Sequence, residues 1–174
     1  GKIVCAGTVN LNPQGTVGAI SVSRFNADGS IDNSFNGDGH TSVDIDVYAD
    51  YANALCIQYD GKIVIGGSFF NFSGGSVTDC YVARFNQNGT LDNSFGINGV
   101  FKNGLSSGTD IITEMVLQGQ NKIVFVGYAN YSSFDYITGR IILDDLAASP
   151  DASICYGDST TLYAYSDSLI IGWA

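Results

Sequence analysis

The sequence predicts an all-β fold built from repeated four-stranded antiparallel meanders. Three observations carry that expectation. Near-identical phrases return at an offset of sixty residues: "GKIVCAG" at 1–7, "GKIVIGG" at 61–67 and "NKIVFVG" at 121–127. Short runs of β-branched and aromatic residues alternate with Gly, Asn and Asp, a pattern that suits strands joined by tight turns. Helix-forming material is scarce: the 174 residues hold seven Lys and Arg together and a single glutamate, Glu114, against 22 Gly, ten Tyr and ten Phe.

Taken in order, residues 1–47 form a partial unit that lacks an opening strand. Residues 50–106 form a full unit, with strands expected at 51–59, 62–69, 80–86 and 99–104. Asp60–Gly61 between the first two is a two-residue hairpin signal, because Asp and Gly tolerate the positive φ of a type I′ turn. The third and fourth strands are joined by the polar connection "QNGTLDNSFGIN". Residues 110–146 form a third, partial unit, in which "DYITGRII" at 135–142 matches "DCYVARFN" at 79–86 before the chain departs from the pattern. Four antiparallel strands per unit, repeated without an intervening helix, describe the blades of a β-propeller. Rings close with about 4–8 blades, so three units predict an open fragment, with the remaining blades of a parent chain as partners.

The longest recurrence is "RFNADGSIDNSFNGDGH" at 24–40, which returns as "RFNQNGTLDNSFGINGV" at 84–100. Arg24, Arg84 and Arg140 each follow a small strand residue, and in the first two copies a carboxylate lies eight positions on, at Asp32 and Asp92. We expect each Arg to pair with that Asp, or with carbonyls of the returning loop, and so to pin the loop to its blade. Phe35 and Phe95 are expected to fill apolar space between neighbouring blades.

"DGKIVIGG" followed by "ARFNQNGTLDNSFGINGV" resembles the delta-60 repeat, a bacterial β-propeller repeat of surface and secreted proteins. The resemblance covers about residues 1–145. It implies a propeller whose blades share this phrase, and no established enzyme activity, so no catalytic residues are carried over. Residues 147–174 resemble a linker and the beginning of a bacterial immunoglobulin-like (Ig-like) surface domain, with Cys155 on an early strand, alternating Thr161, Tyr163 and Tyr165, and Trp173 on the next. An alternative is that "TTLYAYS" or "LIIGWA" supplies the missing outer strand of the third unit.

Charge excludes some partners. The formal net charge is −10, whereas a nucleic-acid ligand demands a basic face and an anionic membrane surface attracts one. No stretch approaches the roughly 20 apolar residues of a membrane helix, so membrane insertion is not expected. Lys2, Lys62, Lys122 and the three arginines recur with the repeat, which marks them as scaffold. Cys5, Cys56, Cys80 and Cys155 show no metal-binding spacing; the first three stand where the other copies carry Ile65, Val116 and Ile20, which suits small buried hydrophobes.

No catalytic constellation is found, and no cofactor is expected. His40 sits in a polar turn and has no second histidine with which to build a metal site. Glu114 has no glutamate partner, and the aspartates cluster in turns. Calcium has the best metal pattern: Asp28, Ser30 and Asp32, and again Asn88, Thr90 and Asp92, place oxygens at alternate positions as the start of an EF-hand loop does. The competing interpretation is an Asx or Ser/Thr turn, in which those oxygens bond nearby backbone N–H groups. Asn71, Asn88 and Asn130 match the N-glycosylation acceptor pattern, as chance matches do in an Asn-rich chain. Phe70, Phe72, Tyr128 and Tyr131, with Phe69, gather after the second strands and form a candidate carbohydrate or protein contact surface. The function expected is a non-catalytic binding or structural module of a secreted or cell-surface bacterial protein. The alternatives are a polysaccharide-active propeller enzyme using loop aspartates, and a purely architectural spacer.

Overall fold

The computed structural model describes residues 1–13, 17–72, 77–130 and 134–143, and the strand segments 152–156, 160–164 and 170–171. In the first sheet β1 (Ile3–Asn10), β2 (Gly18–Phe25) and β3 (His40–Val43) lie side by side. The second holds β4 (Asp50–Ile57), β5 (Ile63–Asn71), β6 (Val77–Phe85) and β7 (Val100–Asn103), in chain order. The third holds β8 (Thr109–Gln118), β9 (Lys122–Asn130) and β10 (Phe134–Ile142). Beyond them, β11 (Ala152–Tyr156) pairs with β12 (Thr160–Ala164), and β13 (Ile170–Ile171) pairs with β10. The strand pairs are antiparallel.

Period-two alternation places the core on both faces of the second sheet. Ile63, Ile65, Tyr81, Ala83 and Phe85 pack toward the first sheet, with Ile20, Val22 and Phe35. Val64, Cys80 and Val82 pack toward the third, with Ile112, Ile123 and Phe125. A strand covered on both sides has no solvent face, so β5 and β6 are buried along nearly their whole length. The outer sheets lack that second cover. Ile3 is 50% exposed where its equivalent Ile63 is 1%.

The repeat extends to an irregularity of the backbone. Both β4 and β8 carry a bulge, between Ala52 and Ala54 and between Ile112 and Glu114. The bulge brings the Tyr51 carbonyl so close to Gly67 that a Cβ there would lie 1.8 Å from its oxygen; Gly127 meets the Ile111 oxygen at 1.9 Å. Only glycine fits such an approach. Gly7 occupies the same place in the first copy, and a Cβ there meets nothing within 4 Å.

The β4–β5 connection differs from the expected two-residue type I′ turn. Gly61 N donates to Gln58 O, and Gln58 N donates to Lys62 O, so Tyr59, Asp60 and Gly61 form a three-residue loop. Of these only Gly61 has positive φ, at 83°. Asp60 stays in ordinary backbone space and its carboxylate accepts from Lys62 N at 3.0 Å, an Asx-type bond that removes any need for two left-handed residues.

Candidate binding face and the framing loops

A meander sorts its connections onto two ends. One end carries the repeated phrases between β2 and β3 and between β6 and β7. The other carries the β1–β2, β5–β6 and β9–β10 hairpins with the β3–β4 and β7–β8 links.

At the first end each phrase builds the same ion-pair unit. Arg24 Nε donates to Asp32 Oδ2 at 2.7 Å, and Arg84 Nε to Asp92 Oδ2 at 2.7 Å. Lysines complete the units: Lys2 lies 3.0 Å from Asp32, and Lys62 3.1 Å from Asp92. Ser34 and Ser94 donate to the remaining carboxylate oxygens at 2.6 Å. The guanidinium of Arg24 lies over the Phe35 ring and that of Arg84 over Phe95, at 4.8 and 4.9 Å from the centroids. Both phenylalanines are buried, Phe35 between the first and second sheets and Phe95 between the second and third.

These contacts set the carboxylate chemistry. The Ser34 hydroxyl, against opposing desolvation and with help from Lys2 and Arg24, holds Asp32 well below the usual range. Burial pushes Asp92 up, but Ser94, Lys62 and Arg84 outweigh it and bring it down to about 2. The units also clamp sheet to sheet. Arg24 donates to the Gln87 carbonyl of the next phrase, and Arg84 to the Leu143 carbonyl at 3.1 Å. Asn36 N donates to Asn88 O at 2.7 Å. In the third copy Arg140 Nε is buried without a hydrogen-bond partner among the described residues.

The calcium candidates do not converge. Asp28 Oδ1 accepts from Ser30 N and Oγ, and Asn88 Oδ1 from Thr90 N and Oγ1. These are turn bonds. Asp32 and Asp92 face Lys and Arg instead. Among the described residues no three His, Cys, Asp or Glu side chains are grouped to hold a metal. His40 is exposed, and its Nδ1 lies 2.8 Å from Ser23 Oγ. Cys5, Cys56 and Cys80 are free thiols; Cys5 is exposed, whereas burial pushes the Cys56 thiol up to about 11.

The second end holds two buried aspartates that the sequence reading passed over, although they too recur at sixty residues. Asp50 Oδ2 accepts from Ile45 N at 2.6 Å, and Asp110 Oδ2 from Leu105 N at 2.6 Å and Ser106 N at 2.8 Å. Each thus fastens the link that precedes its sheet. Ser106 Oγ also donates to Asp110 Oδ1 at 2.7 Å. The equivalent residue in the earlier link is Asp46, which pairs with Lys102 at 3.0 Å, and Asp50 Oδ1 is buried with no hydrogen-bond partner among the described residues. Desolvation pushes Asp50 up to about 7 and also raises Asp110.

Beside Asp50 the link displays Tyr48, which sequence reasoning missed. Its ring lies 4.3 Å from Phe72 and 6.2 Å from Phe70, and Phe70 and Phe72 are 4.9 Å apart. Tyr48 and Phe72 are exposed. Tyr128 joins a neighbouring groove between the second and third sheets, also lined by Tyr51. Tyr131 lies outside the described residues. The trio has no counterpart in the other copies: the positions sixty residues on are Gly108, Asn130 and Ser132. A lack of recurrence was the available signal for Tyr48.

Repeated antiparallel sheets of three and four strands, stacked face to face through equivalent residues, are the blades of a partial β-propeller. Residues 1–35 and 58–95 match the family described as "Domain of unknown function (DUF5122) beta-propeller". No curated protein matches the chain.

Proposed function

We propose that the chain is a non-catalytic binding module of a secreted or cell-surface bacterial β-propeller of the delta-60 type, and that it meets its ligand at the end bearing Tyr48, Phe70 and Phe72. The observation that carries this proposal is the aromatic trio itself. Three rings packed together, Tyr48 and Phe72 exposed and Phe70 half-buried, at positions where the repeat elsewhere has Gly, Asn and Ser, are not needed by the scaffold. Tyr and Phe supply large contact area at low conformational cost. The acidic charge and low Lys content suit an extracellular setting.

The engagement of the loop aspartates weighs against the enzymatic alternative. Asp32 and Asp92 are held ionised by Lys and Arg, and Asp28 is bonded within its turn. A glycosidase needs two carboxylates flanking the bond, one of them a raised-pKa acid. Asp50 and Asp110 have the raised pKa, but each is buried beneath the link that precedes its sheet.

Further blades of the same repeat are the proposed neighbours of the outer sheets. Val116 and Tyr136 are 60% and 93% exposed, while Cys80, the equivalent of Tyr136, is 3% exposed against the third sheet. The pairing of Ile170–Ile171 with β10 favours the tail as the outer strand of the third blade over an Ig-like start.

The test is a binding survey against extracellular polysaccharides and surface proteins, using the chain and a Tyr48→Ala/Phe72→Ala double variant. A ligand lost in the double variant supports the proposal. A ligand bound equally by both would place binding elsewhere, and absence of any ligand would favour the architectural spacer. Release of reducing ends from a polysaccharide, abolished by replacing a loop aspartate, would favour the enzyme.

A further inference from the structure

Resting on that binding role, we infer that the groove between the second and third sheets seats an uncharged, polyhydroxylated chain, the backbone of a neutral glycan. The groove measures about 610 Å³. Tyr51 and Tyr128 line it from the two sheets, Thr78 and Thr113 add half-buried hydroxyl side chains, and Ser68 lines it as a buried residue.

Three observations select this ligand. The first is charge. The chain carries a net −10, yet none of the residues lining this groove is an Asp, Glu, Lys, Arg or His. An anionic ligand finds no counter-charge here, and a cationic one is better served by the acidic surface outside. The second is the pairing of aromatic rings with hydroxyls. A sugar ring presents C–H faces that pack on an aromatic ring and hydroxyls that bond at its rim. A few polar groups set among aromatic walls fix the orientation of such a ligand. Thr113 Oγ1 already donates to the Val126 carbonyl at 3.2 Å, which leaves its oxygen to accept. The third is that the rings are foreign to the repeat. Tyr51 is replaced by Ile111 in the next copy, and Tyr128 by Ser68 in the previous one. Scaffold positions recur; these do not.

The groove borders the trio along the second sheet. Tyr51 pairs across the sheet with Ser68, and Thr78 pairs with Phe70, the trio's innermost ring. A linear ligand lying along Tyr51 and Thr78 therefore reaches Phe70 and Phe72. The trio is the outer contact and the groove is the selective one.

Titration calorimetry with neutral hexasaccharides (β-1,4-glucan, β-1,4-xylan, β-1,4-mannan and α-1,4-glucan) and with polygalacturonate tests this. We expect at least one neutral hexasaccharide to bind and polygalacturonate not to. Tyr51→Ala and Tyr128→Ala should each weaken binding about tenfold, the effect of losing one aromatic anchor. Tyr51→Phe and Tyr128→Phe, which keep the rings, should retain most of it, and thermal unfolding should confirm that each variant is folded. Binding of polygalacturonate alone, or of no hexasaccharide, overturns the inference. A hexasaccharide lost in Tyr48→Ala/Phe72→Ala but unaffected by the groove variants also overturns it, while leaving the binding module standing.

Discussion

The two ends of the strands differ in kind. At the phrase end, Lys2, Arg24, Asp32, Ser34 and Phe35 are reproduced as Lys62, Arg84, Asp92, Ser94 and Phe95, with ion-pair distances that agree within 0.1 Å. At the hairpin end the backbone anchors recur, through Asp50 and Asp110, but the side chains displayed above them do not. Tyr48, Phe70, Phe72, Tyr51 and Tyr128 each stand alone among the copies. A repeat preserves what every blade needs in order to stack. What differs between blades is free to serve a ligand.

The sharpest test of the stacking half sets Gly67→Ala against Gly7→Ala. The first drives a methyl into the Tyr51 carbonyl and should destabilise the chain by more than about 3 kcal/mol, the upper end for overpacking. The second meets open space and should stay within about 0.5 kcal/mol of wild type. Urea midpoints measure both. Equal effects would mean that the bulge does not force the glycine.

Next in size is the arginine pair. Arg84→Ala removes the buried partner of the Asp92 carboxylate, which keeps Lys62 and Ser94, and strands the Leu143 carbonyl, and should cost about 3 kcal/mol. Arg24→Ala should cost less, about 1–2 kcal/mol, because its side chain is 11% exposed against 2% for Arg84 and water can reach the partners it leaves. The order of the two unfolding midpoints is the readout.

The phrase was legible because it recurs. Its Arg–Asp spacing of eight, its small residue before each Arg and its Phe three positions past each Asp could all be read from the string. The role of Lys2 and Lys62 was visible only as periodicity, since their sequence distance from Asp32 and Asp92 conceals a contact made across the sheet. Asp50 and Asp110 recurred as plainly but sat among other turn aspartates, and burial is a property of the folded chain. Tyr48 was hidden because the strands bring the β3–β4 link to the β5–β6 hairpin, a meeting that no local pattern encodes. At Asp60–Gly61 the dipeptide signalled a turn correctly, while its type was decided by the Asp60 bond to Lys62.

Charge gives the two ends opposite pH responses. Asp92, at about 2 in the fold against 3.8 ordinarily, contributes stability above the ordinary value and loses it as pH falls toward 2. Asp50 holds its proton up to about 7 against 3.8. The folded chain therefore binds an extra proton across that window, and stability falls as pH rises through it. Asp50→Asn should flatten the decline between about pH 4 and 7 and leave the acid limb untouched, as read from denaturation midpoints across pH. An unchanged decline would mean that Asp50 does not titrate in the fold.

The smallest stability effects belong to the displayed aromatics. Tyr48→Ala and Phe72→Ala should move the unfolding midpoint by no more than about 0.5 kcal/mol each, as exposed positions do, while the double variant loses the ligand. Tyr136→Ser, on the open face of the third sheet, should likewise leave stability unchanged and reduce self-association in sedimentation velocity, since exposed apolar sheet faces adhere.

Residue-resolved hydrogen exchange on the native chain tests the division of ends most directly. The amides of Arg24, Asp32, Phe35 and Gly39, and of Arg84, Asp92, Phe95 and Gly99, each donate within a phrase. They should exchange only through global unfolding, as slowly as the amides of β5 and β6, while Val47 and Tyr48 exchange faster. Phrase amides that exchange as quickly as those of Val47 and Tyr48 would contradict the account.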